Sequence, residues 1–200
     1  MNILRIDASA RHEDSNSRKV ADYLVEQLGA ASVTQRDLAN HNFPTVTGDS
    51  VMAVYSGSDD PAFAEHLALS EELTGEVLAA DTLVISSPIY NFSVPSYLKQ
   101  WIDFVCRAGI TFRYGENGPE GLSGIRTAYI VTASGGVPVG SPVDFASRYL
   151  EQVCRFIGVE DVHHIDAGGS KRDPEAVVSG AKTQIDNLLQ DHAEVNVAAG

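Results

Sequence analysis

The sequence predicts an α/β protein built on a doubly wound parallel sheet, and three observations carry that prediction. Short β-branched or apolar runs alternate one for one with amphipathic helical stretches along the whole chain. Strands joined by helical crossovers run parallel and cross over right-handed. The run TLVISS, 82–87, is apolar almost without alternation, as a strand covered on both faces must be. Its 200 residues, 44% of them hydrophobic, suit one domain spanning 1–200 with a core of its own.

Taken in order, NILRID at 2–7 is the first strand, and Ser17 to Leu28 is a helix in which Val20, Leu24 and Leu28 recur every fourth position. Ser32 to Leu38 is the second strand. A passage rich in Gly, Ser, Asp and Pro, 40–61, reads as a loop, long for a compact domain, before a helix from Ala62 to Leu78. TLVISS is the third strand. In PSYLKQWIDFVCRAG, Leu98, Trp101, Ile102 and Val105 stand at i, i+3, i+4 and i+7, with Gly109 as the stop. TAYIVT, 127–132, is the fourth strand and Pro142 to Phe156 a helix opened by proline. VEDVHHID carries the fifth strand, Pro174 to Leu189 forms the last helix, and the tail from about 191 is expected to fray. Five such units fit the flavodoxin-like strand order 2-1-3-4-5. Ligands of that arrangement sit at the carboxyl ends of the first and third strands, where the winding reverses.

Charge narrows the function. A formal net charge of −13 opposes nucleic acid and anionic membrane surfaces, since no basic patch is legible to offset it. No basic leader and no apolar run near 18 residues is present, so a cytoplasmic protein is expected. Cys106 and Cys154 lie 48 positions apart in apolar helical patterns and read as reduced core thiols. His163 and His164 are strand neighbours that point to opposite faces, which argues against a shared metal; no metal site is expected. The acidic pairs Asp59-Asp60 and Glu71-Glu72 read as solvated surface.

Three loops at the carboxyl ends of the strands hold the candidate chemistry. After the first strand, Ser9, Ser15, Asn16 and Ser17 surround a helix start. Unpaired amides there, with added hydroxyls, can hold a phosphate, although Ser and Asn are also ordinary helix caps. Without Gly-x-Gly-x-x-Gly, a dinucleotide pyrophosphate is disfavoured. After the third strand, Pro88, Ile89, Tyr90, Asn91 and Phe92 can cover a flat heteroaromatic ring or simply plug the sheet end. After the fourth, Ala133, Ser134, Gly135 and Gly136 either approach a ligand edge with positive φ or form a turn. Ser134 lacks the Gly-x-Ser-x-Gly setting of a hydrolase nucleophile.

Together with AGITFRYGENGPEGL at 108–122 and FIGVEDV at 156–162, these stretches resemble the FMN-dependent NADH-azoreductases, the AcpD-type group of NADH:quinone oxidoreductases. The resemblance covers nearly the whole chain. It implies bound FMN, with its phosphate on Ser9, Ser15, Asn16 and Ser17, its ring along Ile89 to Phe92, and its pyrimidine edge toward Ala133 to Gly136. It also implies a homodimer in which Tyr114 and Phe156 reach the partner's substrate site. Many relatives of that group carry Arg where this chain has Ser134, a polar residue where it has Pro138, and Gln where it has Asn16. The reaction implied is ping-pong: NADH delivers hydride to flavin N5, then a quinone or azo compound takes two electrons, with no catalytic side chain required. The alternative is a flavodoxin-type carrier of single electrons that does not oxidise NADH. A second alternative is a module without cofactor, whose serines only cap.

Overall fold

The computed structural model describes residues 1–169 and 173–198, with side chains as far as Asp191. In chain order these form β1 (Asn2–Asp7), α1 (Asn16–Leu28), β2 (Ser32–Asp37), α2 (Gly48–Ser56), α3 (Ala64–Ala79), β3 (Thr82–Pro88) and α4 (Ser96–Val105). There follow β4 (Phe112–Gly115), β5 (Gly118–Gly121), β6 (Thr127–Ala133), α5 (Ser147–Phe156), β7 (Asp161–Asp166) and α6 (Pro174–Ala198). A five-stranded sheet runs β2-β1-β3-β6-β7, and every neighbouring pair in it is parallel. This is the expected 2-1-3-4-5 winding of a flavodoxin-like fold.

Strand alternation divides the core in two. Leu4 and Ile6 of β1, Leu83 and Ile85 of β3, and Ala128 and Ile130 of β6 face one side, where Trp101, Leu98, Leu73 and Leu150 meet them. Ile3, Val84, Tyr129, Val131 and Ile165 face the other, against Val20 and Leu24 of α1 and Ala181 and Ile185 of α6. Each fully buried aliphatic side chain contributes about 1.5–3 kcal/mol, so both clusters resist exposure of either sheet face. β3 is buried along its whole length, because both clusters close over it.

Several boundaries differ from expectation, each for a local reason. The passage 40–61 is not one loop: it contains α2. Thr47 and Ser50 form a reciprocal cap there, with Ser50 N donating to Thr47 Oγ1 at 3.2 Å and Thr47 N donating to Ser50 Oγ at 2.9 Å. Ser stands where the usual box has Glu or Gln, which hides the signal. The helix expected from Pro142 starts at Ser147, since Asp144 turns the chain first and accepts from Ala146 N and Ser147 N at 2.9 and 3.0 Å. α4 ends at Val105, before Gly109, where Thr111 Oγ1 donates to the Val105 carbonyl at 2.5 Å. Residues 112–121, within the stretch 108–122 to which no element is assigned from sequence, pair as the antiparallel hairpin β4–β5. α6 continues from Leu189 to Ala198, through most of the stretch expected to fray, and 199–200 lie outside the described residues.

Candidate functional site

A cleft of about 410 Å³ opens at the carboxyl ends of β1, β3 and β6, the switch point of the sheet. Its lining brings together Ser9, Ser15, Asn16, Ser17, Pro88, Ile89, Tyr90, Ala133, Ser134 and Gly135, ten residues from the three candidate loops. Asn91, Phe92 and Gly136 stand outside that lining. Four residues not anticipated join it: Arg11, Asp14, Lys19 and Pro174.

At the β1 end the capping reading holds. Ser15 is the N-cap of α1, its hydroxyl accepting from Arg18 N at 3.4 Å, and it lies 3.2 Å from Ser17 Oγ. The first amides of a helix have no acceptor within it, so Asn16 N and Ser17 N remain available beside these hydroxyls. Asn16 Nδ2 is buried, with no hydrogen-bond partner among the described residues. A buried donor left unpaired costs about 1–3 kcal/mol, a cost that an acceptor bound at this helix start would relieve.

Beneath the cradle lies a buried ionic network that sequence reasoning missed. Arg18 donates to the Ser9 carbonyl at 2.7 Å and to both Asp37 oxygens at 2.6 and 3.1 Å. Asp7, wholly buried, is met by Arg5 Nε at 2.9 Å, Ser86 Oγ at 2.7 Å and Gln35 Nε2 at 2.7 Å. Removing one partner of such a network strands a buried charge, so Ser9 is held at the top of β1 by groups from β2, β3 and α1. The signal available in the sequence was Arg5 and Asp7 two apart on one strand face, within an otherwise apolar run.

The β3 loop folds back as a tight turn: Tyr90 N donates to Ser93 O at 2.9 Å and Ser93 N to Tyr90 O at 3.1 Å. Its two central residues, Asn91 and Phe92, both take positive φ, 50° and 72°, as a two-residue I′ turn demands. Asn tolerates this; Phe does so only under strain. Phe145 N donates to the Phe92 carbonyl at 3.0 Å and so clamps this turn to the loop after β6, while the Phe92 ring stays 54% exposed. In that second loop Ser134 Oγ donates to the Val137 carbonyl, and Gly169 N donates to Ser134 O at 2.9 Å. Gly135 and Gly136 do not adopt positive φ; of the two readings left open by the sequence, the chain simply bends here. Asp144 ties the far end of the loop. Burial alone would raise its carboxyl, but the hydroxyl and amide of Ser147 with the amides of Gly140 and Ala146 outweigh that and hold it below its ordinary value.

Tyr114 and Phe156 lie elsewhere in the chain, in a separate cavity of about 380 Å³ with Tyr55, Cys106, Ala108 and Phe112. Phe112 packs on Phe156 at 4.3 Å between ring centroids and edge-on to Tyr114 at 5.4 Å. Burial pushes the Cys106 thiol up to about 11 and Cys154 to about 12, so both remain protonated and unreactive near neutral pH. Both are free. His163 stacks on Tyr129 and pairs with Asp161, whereas His164 meets Glu151 at 3.2 Å, so the two rings serve different neighbours.

Fold and cleft together define a flavodoxin-like protein with an open cleft at the switch point of its sheet, and a family model described as a flavodoxin-like fold matches residues 1–189. The chain belongs to the family of FMN-dependent NADH:quinone oxidoreductases. It is 50% identical over 189 residues to FMN-dependent NADH:quinone oxidoreductase 1 of Hahella chejuensis, covering 92% of each chain. To the protein of the same name from Jannaschia it is 45% identical, covering 93% of this chain and 97% of the other. Among solved structures it is similar to an FMN-dependent NADH-azoreductase from Bacillus anthracis in complex with FMN. That likeness has a TM-score of 0.82 at 25% identity and covers 96% of this chain and 100% of the other.

Proposed function

We propose that the protein is an FMN-dependent oxidoreductase that carries two electrons from NADH to quinones and azo compounds by a ping-pong reaction, as a cytoplasmic homodimer. The observation that carries the cofactor is Asn16 Nδ2, without a hydrogen-bond partner among the described residues, in a residue that lines the switch-point cleft with Ser9, Ser15 and Ser17. These residues fit a phosphomonoester, and Lys19 and Arg11 at the rim offset its charge. FMN, when bound, supplies the hydride acceptance and the two-electron delivery. What this chain supplies is place and field. Ile89 and Tyr90 wall one side of the cleft, and Ala133, Ser134 and Gly135 present backbone and hydroxyl groups from the other. The Phe145–Phe92 hydrogen bond and the Asp144 cap keep both loops in register, so that donor and acceptor occupy one prearranged space in turn.

Dimerisation is supported by the aromatic cavity around Tyr114, a residue 76% exposed, and by Met52 and Tyr55 of α2, at 64% and 50%. A second copy that covers this face brings Tyr114 and Phe156 to the neighbour's acceptor site. The free thiols of Cys106 and Cys154 support the cytoplasmic reading, since a reducing compartment keeps cysteines unpaired. No helix among the described residues is long and apolar enough to cross a membrane.

The test is anaerobic mixing of purified yellow protein with NADH, followed by menadione or methyl red. Bleaching by NADH and recovery with acceptor are expected, with double-reciprocal plots parallel across acceptor concentrations. A yellow protein inert to NADH points instead to a one-electron carrier.

A further inference from the structure

Beside the cofactor cleft lies a second groove, of about 330 Å³, between α1 and α6; its lining is Asn16, Lys19, Pro174, Glu175, Val178, Ser179 and Lys182. The two hollows meet along Asn16, Lys19 and Pro174, at the end of the cleft where the phosphate cradle sits. A group bonded to a phosphate held there has this groove beside it.

Its charges are distinctive for this chain. Four lysines, Lys19, Lys99, Lys171 and Lys182, occur in a protein of net charge −13. Lys99 is spent on Asp103, at 2.5 Å. Lys19 and Lys182 both line the groove, and among the described residues neither makes an ion pair; Lys182 Nζ rests 4.6 Å from the centroid of the Tyr23 ring. Lys19 stands between the two hollows, beside the first phosphate position, and Lys182, farther along the groove, is the cation that suits a second phosphate. Val178 offers an apolar contact for a base, and the Glu175 carboxylate and Ser179 hydroxyl suit ribose hydroxyls.

We propose that this groove takes the adenylate half of FAD, so that the protein binds FAD as well as FMN through one phosphate cradle. The inference rests on the flavin reading given above. No Gly-x-Gly-x-x-Gly turn is needed, because the second phosphate meets lysine side chains rather than a glycine-rich backbone.

The experiment strips flavin from the purified protein and offers FMN and FAD separately. Retained flavin is measured after gel filtration by absorbance, its identity by chromatography, and its dissociation constant by titration. Both flavins are expected to be retained. Lys182→Gln, and independently the exposed-face variant Ser179→Glu, should weaken FAD about tenfold or more and leave FMN unchanged, since each removes or opposes one charge-assisted contact. Uptake of FMN without FAD overturns the inference and leaves the FMN assignment standing, as does equal weakening of both flavins or of neither. Uptake of neither flavin overturns both.

Discussion

Asn16 is the residue on which the cofactor assignment turns. Asn16→Asp keeps its size, puts an acid in the first turn of α1, where the helix dipole favours it by about 0.3–1 kcal/mol, and replaces the unpaired donor with a negative charge. The stripped variant should melt close to the stripped parent, because the gain from the helix dipole is set against the desolvation of a carboxylate where the buried amide nitrogen stood. Its affinity for FMN should fall roughly a hundredfold, the equivalent of about 3 kcal/mol. Flavin retained per chain after gel filtration checks the second outcome, and full retention removes the phosphate from this site. Ser17→Asp, the obvious choice from sequence, is the poorer probe because Ser17 is buried and a carboxylate there must also be desolvated. Asp144 gives a second test, in pH. Its folded-state carboxyl lies below its ordinary value, so its contribution to stability is present above the usual carboxylate range and is lost as pH falls through the folded value. Asp144→Asn should therefore cost about 1–2 kcal/mol at neutral pH and progressively less in acid. Chemical denaturation at a series of pH values measures this, and a difference constant with pH contradicts it.

Among the elements, the hairpin β4–β5 depends on one close approach. A Cβ on Gly121 would lie 2.0 Å from Gly158 N and 2.2 Å from Gly158 Cα, both backbone atoms that cannot move aside cheaply. Gly121→Ala should force the hairpin off the end of α5 at a cost of about 1–3 kcal/mol and shift Tyr114 with it. FMN retention is expected to persist while the KM for the acceptor rises; steady-state kinetics alongside flavin content separates the two. The same element shows why sequence reading stopped short. Four-residue strands with glycine at both ends, such as GPEG, carry no apolar alternation, and their pairing is visible only once Gly121 is seen against Gly158. Likewise α2 escaped notice because its cap uses Ser50 in place of an acid.

For the whole molecule, the exposed aromatic face is the decisive property. Met52→Glu with Tyr55→Glu places two charges on the exposed side of α2, away from the flavin cleft. Sedimentation should show the parent as a dimer and the double variant as a monomer, which keeps FMN but reduces quinone slowly. A parent that sediments as a monomer at working concentration removes the shared-site proposal. Arg5, Arg18, Asp7 and Asp37 belong to this scale too, since β1, α1 and β2 converge to pair their charges under a single loop.

Periodicity and strand composition alone determined the order of strands and helices, the 2-1-3-4-5 winding, and the three loops that meet at the switch point, because these follow from local patterns of burial and from the handedness of crossovers. Tertiary structure alone decided which atoms of those loops are uncommitted. Ser15 is occupied as a cap while Asn16 Nδ2 has no partner among the described residues; Asn91 and Phe92 are turned into left-handed backbone and clamped by Phe145; Lys19 and Lys182 are brought from separate helices to one groove. Such pairings join residues far apart in the chain, and their energies depend on distance and desolvation, which no local pattern of residues encodes.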